Sequence, residues 1–166
     1  MERLSRSPPG EAREELLKCC GSQAWVAGML AHRPFRSSEE LEEAAASVLQ
    51  SLSREDWLEA FAQHPKIGDL DSLRNKFSAT GDWARGEQAG VAGAQDGTLK
   101  ELAEGNRLYE ERFGFIYIVS ATGKSAEQML ADLTQRLTHD ADTELALAAE
   151  QQLQITLLRL RKLAQT

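Results

Sequence analysis

Three segments of the chain combine residue types that could form a small acid/base site. The first, HPKIG, begins with His64 and Pro65, and the second, ARGEQAGV, surrounds Glu87. The third reads RFGFIYIVSATGKSA and runs from Arg112 to Ala126. An imidazole and a carboxylate can exchange protons near neutral pH, and a glycine-containing turn can expose backbone amides that stabilise negative charge. The three segments together therefore predict proton-transfer chemistry.

His64 is the best single candidate for the group that transfers the proton. The preceding segment carries Trp57, Leu58 and Phe61 at helical spacing, and a proline disfavours helix in the residue before it. We therefore expect a helix to end near His64, with the imidazole turned out at its C-terminal end. Carbonyl groups there would stabilise a protonated imidazole by about 0.3–1 kcal/mol. A surface turn histidine without a catalytic role is the alternative.

Glu87 and Arg159 are candidate partners for the imidazole and for an anionic ligand. Glu87 lies among Gly86, Gly90 and Gly93, which lower helix stability without gain unless another group must approach closely. Arg159 could grip a carboxylate through two parallel hydrogen bonds. The alternatives are a solvated glutamate and an arginine that forms an ion pair with one of the many acids.

Other kinds of site are disfavoured by residue spacing. ATGKS is similar to part of a phosphate-binding loop, but Ile118 stands where GxxxxGK(S/T) requires its first glycine. The three histidines lie far apart, and the sequence has neither HExxH nor CxxC, so no metal is expected. The sequence has no GxSxG elbow, and Cys19 and Cys20 lie in an ordinary helical pattern, which gives covalent catalysis little support.

Length and charge indicate a single acidic domain, residues 1–166, with residues 1–10 expected to be frayed. The chain of 166 residues can bury a core without disulfides, and its net charge of −7 argues against a nucleic-acid partner. Its two cysteines are neighbours, which rarely bridge each other, so a reducing compartment is expected. No apolar stretch approaches the roughly 20 residues of a membrane span, and no secretory signal is evident. A cytoplasmic location without a membrane partner is expected.

The elements that must position these residues are predicted to be helices. Polar caps predict helix starts at Ser22, Ser37, Ser53, Thr98 and Ser125, and all but the first form a capping-box pattern with the residue three positions on. A final helix is predicted from about Thr143 to Ala164, and it carries Leu145, Leu153, Leu157 and Leu160. The sequence thus predicts an all-α, single-domain compact bundle of about eight helices.

One part of the chain departs from the helical pattern. Gly114 to Val119 is aromatic and β-branched, which predicts a short extended segment near residues 115–120 with free backbone donors. The helix before it carries Asn106 within its apolar seam. A buried amide needs partners, so Asn106 is expected to tie that helix to the backbone of a neighbouring loop.

The quoted segments resemble the 2-oxo-4-hydroxy-4-carboxy-5-ureidoimidazoline (OHCU) decarboxylases of uric acid degradation. HPKIGD, WARGEQAGV and NRLYEERFGFIYIVSATGKSA carry the resemblance. Trp25 with Met29, RPF from Arg33 to Phe35, WLEAF before His64 and EQQLQITLLRLRKL near the end extend it over nearly the whole chain. The resemblance implies an all-helical, cofactor-free decarboxylase that produces (S)-allantoin, and it suggests a homodimer.

The resemblance also implies roles for particular residues. His64 would be the catalytic acid/base residue and Glu87 its partner carboxylate. The substrate would be bound by Pro65, Ala84, Arg85, Gly86, Gln88, Ile116, Tyr117, Ile118, Val119, Ser120 and Arg159. Residues 116–120 would contact the ring through backbone groups. Members of the family often have serine where this chain has Ala84, so a contact there would use the backbone.

The implied reaction fits a chain without cofactor motifs. The carboxylate leaves from a carbon next to an imine, so the ring itself can accept the electron pair. Two other functions stay open at this point: a hydrolase or tautomerase acting on a related ureido-imidazole ring, and a non-catalytic helical binding module.

Overall fold

The computed structural model describes residues 2–64 and 92–165, and the regular elements in these ranges are eight helices without a strand. They are α1 (Glu2–Arg6), α2 (Pro9–Cys19), α3 (Gln23–Ala31), α4 (Ser38–Gln50), α5 (Arg54–Ala62), α6 (Ala92–Phe113), α7 (Ala126–Arg136) and α8 (Ala141–Gln165). The prediction of an all-α chain with about eight helices is confirmed. The chain divides into two compact units, residues 1–64 with 147–166 and residues 65–146.

Serine caps begin four of the helices at the predicted residues. Ser22 Oγ accepts a hydrogen bond from the Trp25 amide at 3.2 Å, which starts α3. Complete capping boxes start α5, at Ser53, and α7, at Ser125. A cap satisfies a backbone donor that has no partner inside the helix, so a local sequence pattern is enough to set these boundaries.

One predicted capping box and one predicted helix start differ from the structure. Ser37 caps α4 as predicted, but the Glu40 carboxylate accepts from the Arg36 amide at 2.7 Å rather than from the Ser37 amide that a capping box requires. The predicted start at Thr98 is wrong, because α6 begins at Ala92. An ion pair between Asp96 and Lys100, at 3.2 Å, supports this earlier turn, as charged pairs at this helical spacing do.

The first unit has a continuous apolar core between α1 to α5 and the later part of α8. Its buried members include Leu4, Leu16, Trp25, Met29, Phe35, Leu41, Leu49 and Leu160. At Gly28 the helices α3 and α4 approach closely, because an added Cβ would lie 2.5 Å from Val48 Cγ1. Both cysteines are free and buried in this core.

Part of the N-terminal segment, for which fraying was predicted, packs into this core. Leu4 of α1 is only 2% exposed. The Ser5 hydroxyl donates to the Phe35 carbonyl at 2.9 Å and accepts from the Phe35 amide at 3.1 Å. Burial of the Leu4 side chain and these two hydrogen bonds attach α1 to the rest of the first unit.

The second unit contains α6 packed on α7, together with the non-helical segment between them. Tyr109 of α6 contacts the rings of Phe113, Phe115 and Tyr117, with centroids 4.6, 5.8 and 5.6 Å away. Gly114 ends α6 with a φ of 77°, a conformation that glycine adopts without strain. Residues 116–121 have no regular structure, and the apolar side chains of this run are largely buried.

Candidate active site

His64 lies just beyond the end of α5, as predicted. The helix ends at Ala62, and the His64 amide donates to the Phe61 carbonyl at 3.1 Å. Its imidazole is half-buried. The backbone of His64 is therefore fixed by the end of α5, and its side chain lies beyond the last helical residue.

A buried side-chain amide holds the imidazole from one side. His64 Nε2 lies 2.6 Å from Gln152 Oε1, and the Gln152 amide nitrogen donates to Thr156 Oγ1 at 3.1 Å. Gln152 and Thr156 are both fully buried. The Thr156 side chain also lowers the pKa of the Cys20 thiol, whose burial raises that pKa overall. We call these four side chains, His64, Gln152, Thr156 and Cys20, the neutral chain.

The neutral chain was not predicted, because only the leucines of this helix were singled out in the sequence. The buried ridge of α8 carries residues at four-residue intervals, namely Glu144, Ala148, Gln152, Thr156 and Leu160, all fully buried. Of the leucines, Leu160 is fully buried, whereas Leu153 and Leu157 are partly buried and pack against the core. The available signal was the regular spacing of polar residues in register with Leu160.

The surroundings of His64 favour its neutral form. Burial lowers the pKa of the imidazole, and the positive charge of Arg159 lowers it further, whereas the hydrogen bond with Gln152 raises it. The net direction is downward, and loss of water around the ring is the largest cause. The predicted contribution of the α5 carbonyl groups, which would favour protonation, stays a prediction.

Arg159 has a structural partner that the sequence did not indicate. Its Nη1 donates to the carbonyls of Lys18 and Cys19 at 3.3 and 3.2 Å, so it caps the C-terminal end of α2. A cation there stabilises the negative end of the helix dipole. The described contacts are therefore with carbonyls rather than with the predicted acid, and the charge still acts on the pKa of His64.

The segment 116–120 turns its aromatic side chain away from solvent. The Tyr117 hydroxyl hydrogen bonds with the Asp132 carboxylate and approaches the Met129 carbonyl at 3.4 Å. The Ile118 carbonyl accepts from Arg136 Nη1 at 2.8 Å. The side chains of Tyr117 and Ile118 are buried. The predicted contact of this segment with a ligand through its backbone stays a prediction.

A second buried polar group holds this segment from behind. Glu144 Oε2 accepts from Arg136 Nε at 2.9 Å and from the Tyr109 hydroxyl, and Glu144 Oε1 lies 2.7 Å from His139 Nδ1. The Arg136 guanidinium lies 4.9 Å from the centre of the Tyr117 ring. Burial raises the pKa of Tyr109, so this hydroxyl stays protonated and donates to Glu144. We call Glu144, Arg136, Tyr109 and His139 the ion cluster.

Asn106 also differs from its expected role. Its side-chain nitrogen donates to the Leu102 carbonyl at 2.8 Å, within α6 itself. Among the described residues, the amide therefore bonds its own helix rather than a loop.

Several predicted site residues lie outside the described residues. They are Pro65, Ala84, Arg85, Gly86, Glu87 and Gln88. Within the part of the chain that the structure describes, no cluster of three His, Cys, Asp or Glu side chains is placed to hold a metal ion. No helix in that part is both long and apolar enough to cross a membrane.

The described fold and site define a class: all-helical proteins in which an imidazole at a helix end is held by a buried amide. The OHCU decarboxylase family model matches residues 5–161, and the chain belongs to that family. The resemblance predicted from the sequence is thereby confirmed.

Individual relatives agree with the family assignment. A uric acid degradation bifunctional protein of Arabidopsis thaliana is 38% identical over 154 residues, which cover 90% of this chain and 46% of that protein. The chain thus spans about half the length of that relative. An OHCU decarboxylase of Haloferax volcanii is 29% identical over 82% of this chain and 79% of its own.

A solved structure shares the fold. The crystal structure of an OHCU decarboxylase in the presence of (S)-allantoin superimposes with a TM-score of 0.74 at 34% identity. The match covers 92% of this chain and 99% of that chain.

Proposed function

We propose that this chain is a carboxy-lyase that converts OHCU to (S)-allantoin without a cofactor, in the degradation of urate. The observation that carries the proposal is His64, a half-buried imidazole with a lowered pKa whose Nε2 is held by a buried amide. A neutral imidazole fixed in one orientation suits a group that accepts or delivers one proton near neutral pH. Family membership and the related structure with (S)-allantoin support the choice of substrate.

The reaction asks little of the protein beyond positioning and charge stabilisation. The bond from the ring carbon to its carboxylate breaks, carbon dioxide leaves, and the electron pair moves into the adjacent imine. The imine nitrogen takes up a proton, and a second proton reaches the former imine carbon, which carries the ureido group, on one face. The hydroxyl on the neighbouring carbon loses its proton and becomes the carbonyl, and the face of protonation sets the S configuration. Positioned proton transfer contributes roughly a hundred- to ten-thousandfold, and orientation and amide dipoles supply the rest.

The roles proposed for the residues follow from their chemistry. His64 is the acid/base residue, Glu87 orients it, and Arg159 attracts the anionic substrate. The backbone of residues 116–120 donates hydrogen bonds to the ring. The remaining residues of the proposed pocket are Pro65, Ala84, Arg85, Gly86 and Gln88, with Ala84 contributing through its backbone.

Replacement of His64 tests this proposal. We expect His64→Asn to lose nearly all acceleration of (S)-allantoin formation while the fold persists, because asparagine keeps the polarity but cannot transfer a proton. Urate is oxidised and hydrolysed enzymatically to supply fresh substrate, and allantoin formation is followed by circular dichroism with and without the protein.

Two controls make that result specific. His32→Asn changes an exposed histidine at the end of α3 and should leave the rate unchanged. Carbon dioxide release separates a decarboxylase from a hydrolase or tautomerase, which would release none. A near-normal rate in His64→Asn would contradict the assignment of the catalytic residue.

We further propose that residues 1–166 act as one domain that forms a homodimer in the cytoplasm. The family resemblance suggests the dimer, and the acidic net charge of −7 fits a protein whose partner is a small molecule rather than nucleic acid.

A further inference from the structure

We propose that Gln152 is a positioning residue that keeps a hydrogen on His64 Nε2, so that Nδ1 is the ring nitrogen that exchanges the proton. The inference rests on the proposed function, in which His64 is the acid/base residue. It adds a residue from α8, 88 positions away in the chain, to the machinery of the reaction.

The orientation of the Gln152 amide sets the tautomer of the imidazole. The amide nitrogen donates to Thr156 Oγ1 at 3.1 Å, which turns the amide oxygen towards His64 Nε2 at 2.6 Å. An amide oxygen only accepts hydrogen bonds, so Nε2 must be the donor and carry the hydrogen. In a neutral imidazole the other nitrogen, Nδ1, is then the proton acceptor.

Burial limits the partners that Gln152 can take. Gln152 and Thr156 are both 0% exposed, so water cannot replace either partner. A buried polar atom left without a partner costs about 1–3 kcal/mol. If Nε2 carried no hydrogen, it and the amide oxygen would both be acceptors and neither would have a donor, so that tautomer is disfavoured. The Thr156 side chain also acts on the pKa of the buried Cys20 thiol, the fourth member of the neutral chain.

The absence of charge on Gln152 is as informative as its position. A carboxylate in that place would favour the imidazolium and compete for its proton. An amide orients the ring without taking the proton, and its oxygen still stabilises the imidazolium when Nδ1 becomes protonated. Burial of the ring and the positive charge of Arg159 both lower the pKa of His64. Together they keep the resting ring neutral.

The tautomer can be measured directly in the wild-type protein. Histidine labelled with ¹⁵N gives distinct signals for protonated and unprotonated ring nitrogens. The chain has three histidines, and the signals that disappear in His64→Asn are those of His64. At a pH above the ordinary imidazole value of about 6.5, we expect a protonated Nε2 and an unprotonated Nδ1. The opposite pattern would overturn the inference.

Kinetics test whether this orientation matters for the reaction. Gln152→Met keeps the length of the side chain but removes both hydrogen bonds, and we expect kcat to fall about ten- to a hundredfold with little change in KM. Partners that orient metal-bound histidines have effects of this size. The matched control, Gln154→Met, makes the same change at an exposed position of α8 and should leave kcat unchanged.

The outcomes separate this inference from the proposed function. Wild-type protein without decarboxylase activity contradicts the proposed function, whatever the tautomer of His64. Active wild type whose kcat survives Gln152→Met contradicts the inference alone, because a merely structural role would change stability but not kcat of the folded enzyme. Should Gln152→Met fail to fold, Thr156→Val is used instead. This change removes the partner of the Gln152 amide nitrogen, so the amide can turn and we expect a mixture of His64 tautomers. An unchanged tautomer would count against the inference.

Discussion

The ridge of α8 carries two buried polar groups whose chemistry is opposite. Glu144, in the second unit, is a carboxylate with an arginine, a tyrosine and a histidine around it. Gln152, two turns further along the ridge in the first unit, is an uncharged amide between an imidazole and a hydroxyl. Both are 0% exposed. Both groups satisfy the requirement that buried polar atoms have partners. Glu144 does so as a charged group, and Gln152 does so without a charge.

The difference indicates which group can do chemistry and which supports it. In the ion cluster, the negative charge of Glu144 is opposed by the guanidinium of Arg136, and removal of either would leave the other uncompensated. In the neutral chain, an uncharged amide fixes the orientation of the histidine, and burial keeps the resting ring neutral, so the ring is in the form that accepts a proton. The ion cluster instead holds the Ile118 carbonyl, which belongs to the proposed ring-binding segment.

The largest expected effect tests whether the ion cluster is structural. Arg136→Met removes the cation from a side chain that is only 5% exposed and leaves the fully buried Glu144 without its counter-charge. We expect the free energy of unfolding to fall by about 3–5 kcal/mol, measured by urea denaturation. Addition of Glu144→Gln should recover part of the loss, because the uncompensated charge is then gone.

An exposed arginine provides the control for that change. Arg107 pairs with Glu104 and Glu111 on the surface of α6, with 53% of its side chain exposed. Arg107→Met should leave the free energy of unfolding nearly unchanged, because a solvated ion pair adds little to stability. Equal effects of the two substitutions would remove the distinction between a buried and a solvated ion pair.

A smaller effect is expected when the neutral chain is made to resemble the ion cluster. Gln152→Glu places a carboxylate beside His64 Nε2, which raises the pKa of the imidazole. The acid limb of the pH profile of kcat/KM should therefore move to higher pH than in the wild type, where burial sets that pKa below its ordinary value. An unchanged acid limb would mean that His64 is not the group that this limb reports.

The smallest effect concerns stability and pH. Because the pKa of His64 is lowered in the folded state, the unfolded chain binds the proton more readily as the pH falls below about 6.5. The stability that a neutral His64 contributes is complete above that pH and is lost as the pH falls towards the folded pKa. As the pH falls through this window, the free energy of unfolding should decrease less in His64→Asn than in the wild type. Denaturation at several pH values measures this difference. If the two proteins give parallel plots of the free energy of unfolding against pH, the expectation is contradicted.

Local signals predicted the parts of the fold whose partners are close in sequence. The caps at Ser22, Ser53 and Ser125 each act over three residues, and Pro65 restricts only the residue before it. The helix that begins at Ala92 was predicted to start at Thr98, because a cap pattern within a helix looks the same as one at its start. The motifs at His64, Glu87 and residues 112–126 were also sufficient to indicate the family.

The sequence by itself thus determined the helical fold, the end of α5 at His64 and the family to which the chain belongs. Only the tertiary structure decided which side chain hydrogen bonds with His64 and how far its imidazole is buried. Its partner Gln152 lies 88 residues away, and the direction of its pKa shift depends on burial that no local pattern records. Helix ends and caps depend on neighbouring residues, whereas hydrogen-bond partners and desolvation depend on which distant side chains fold against them.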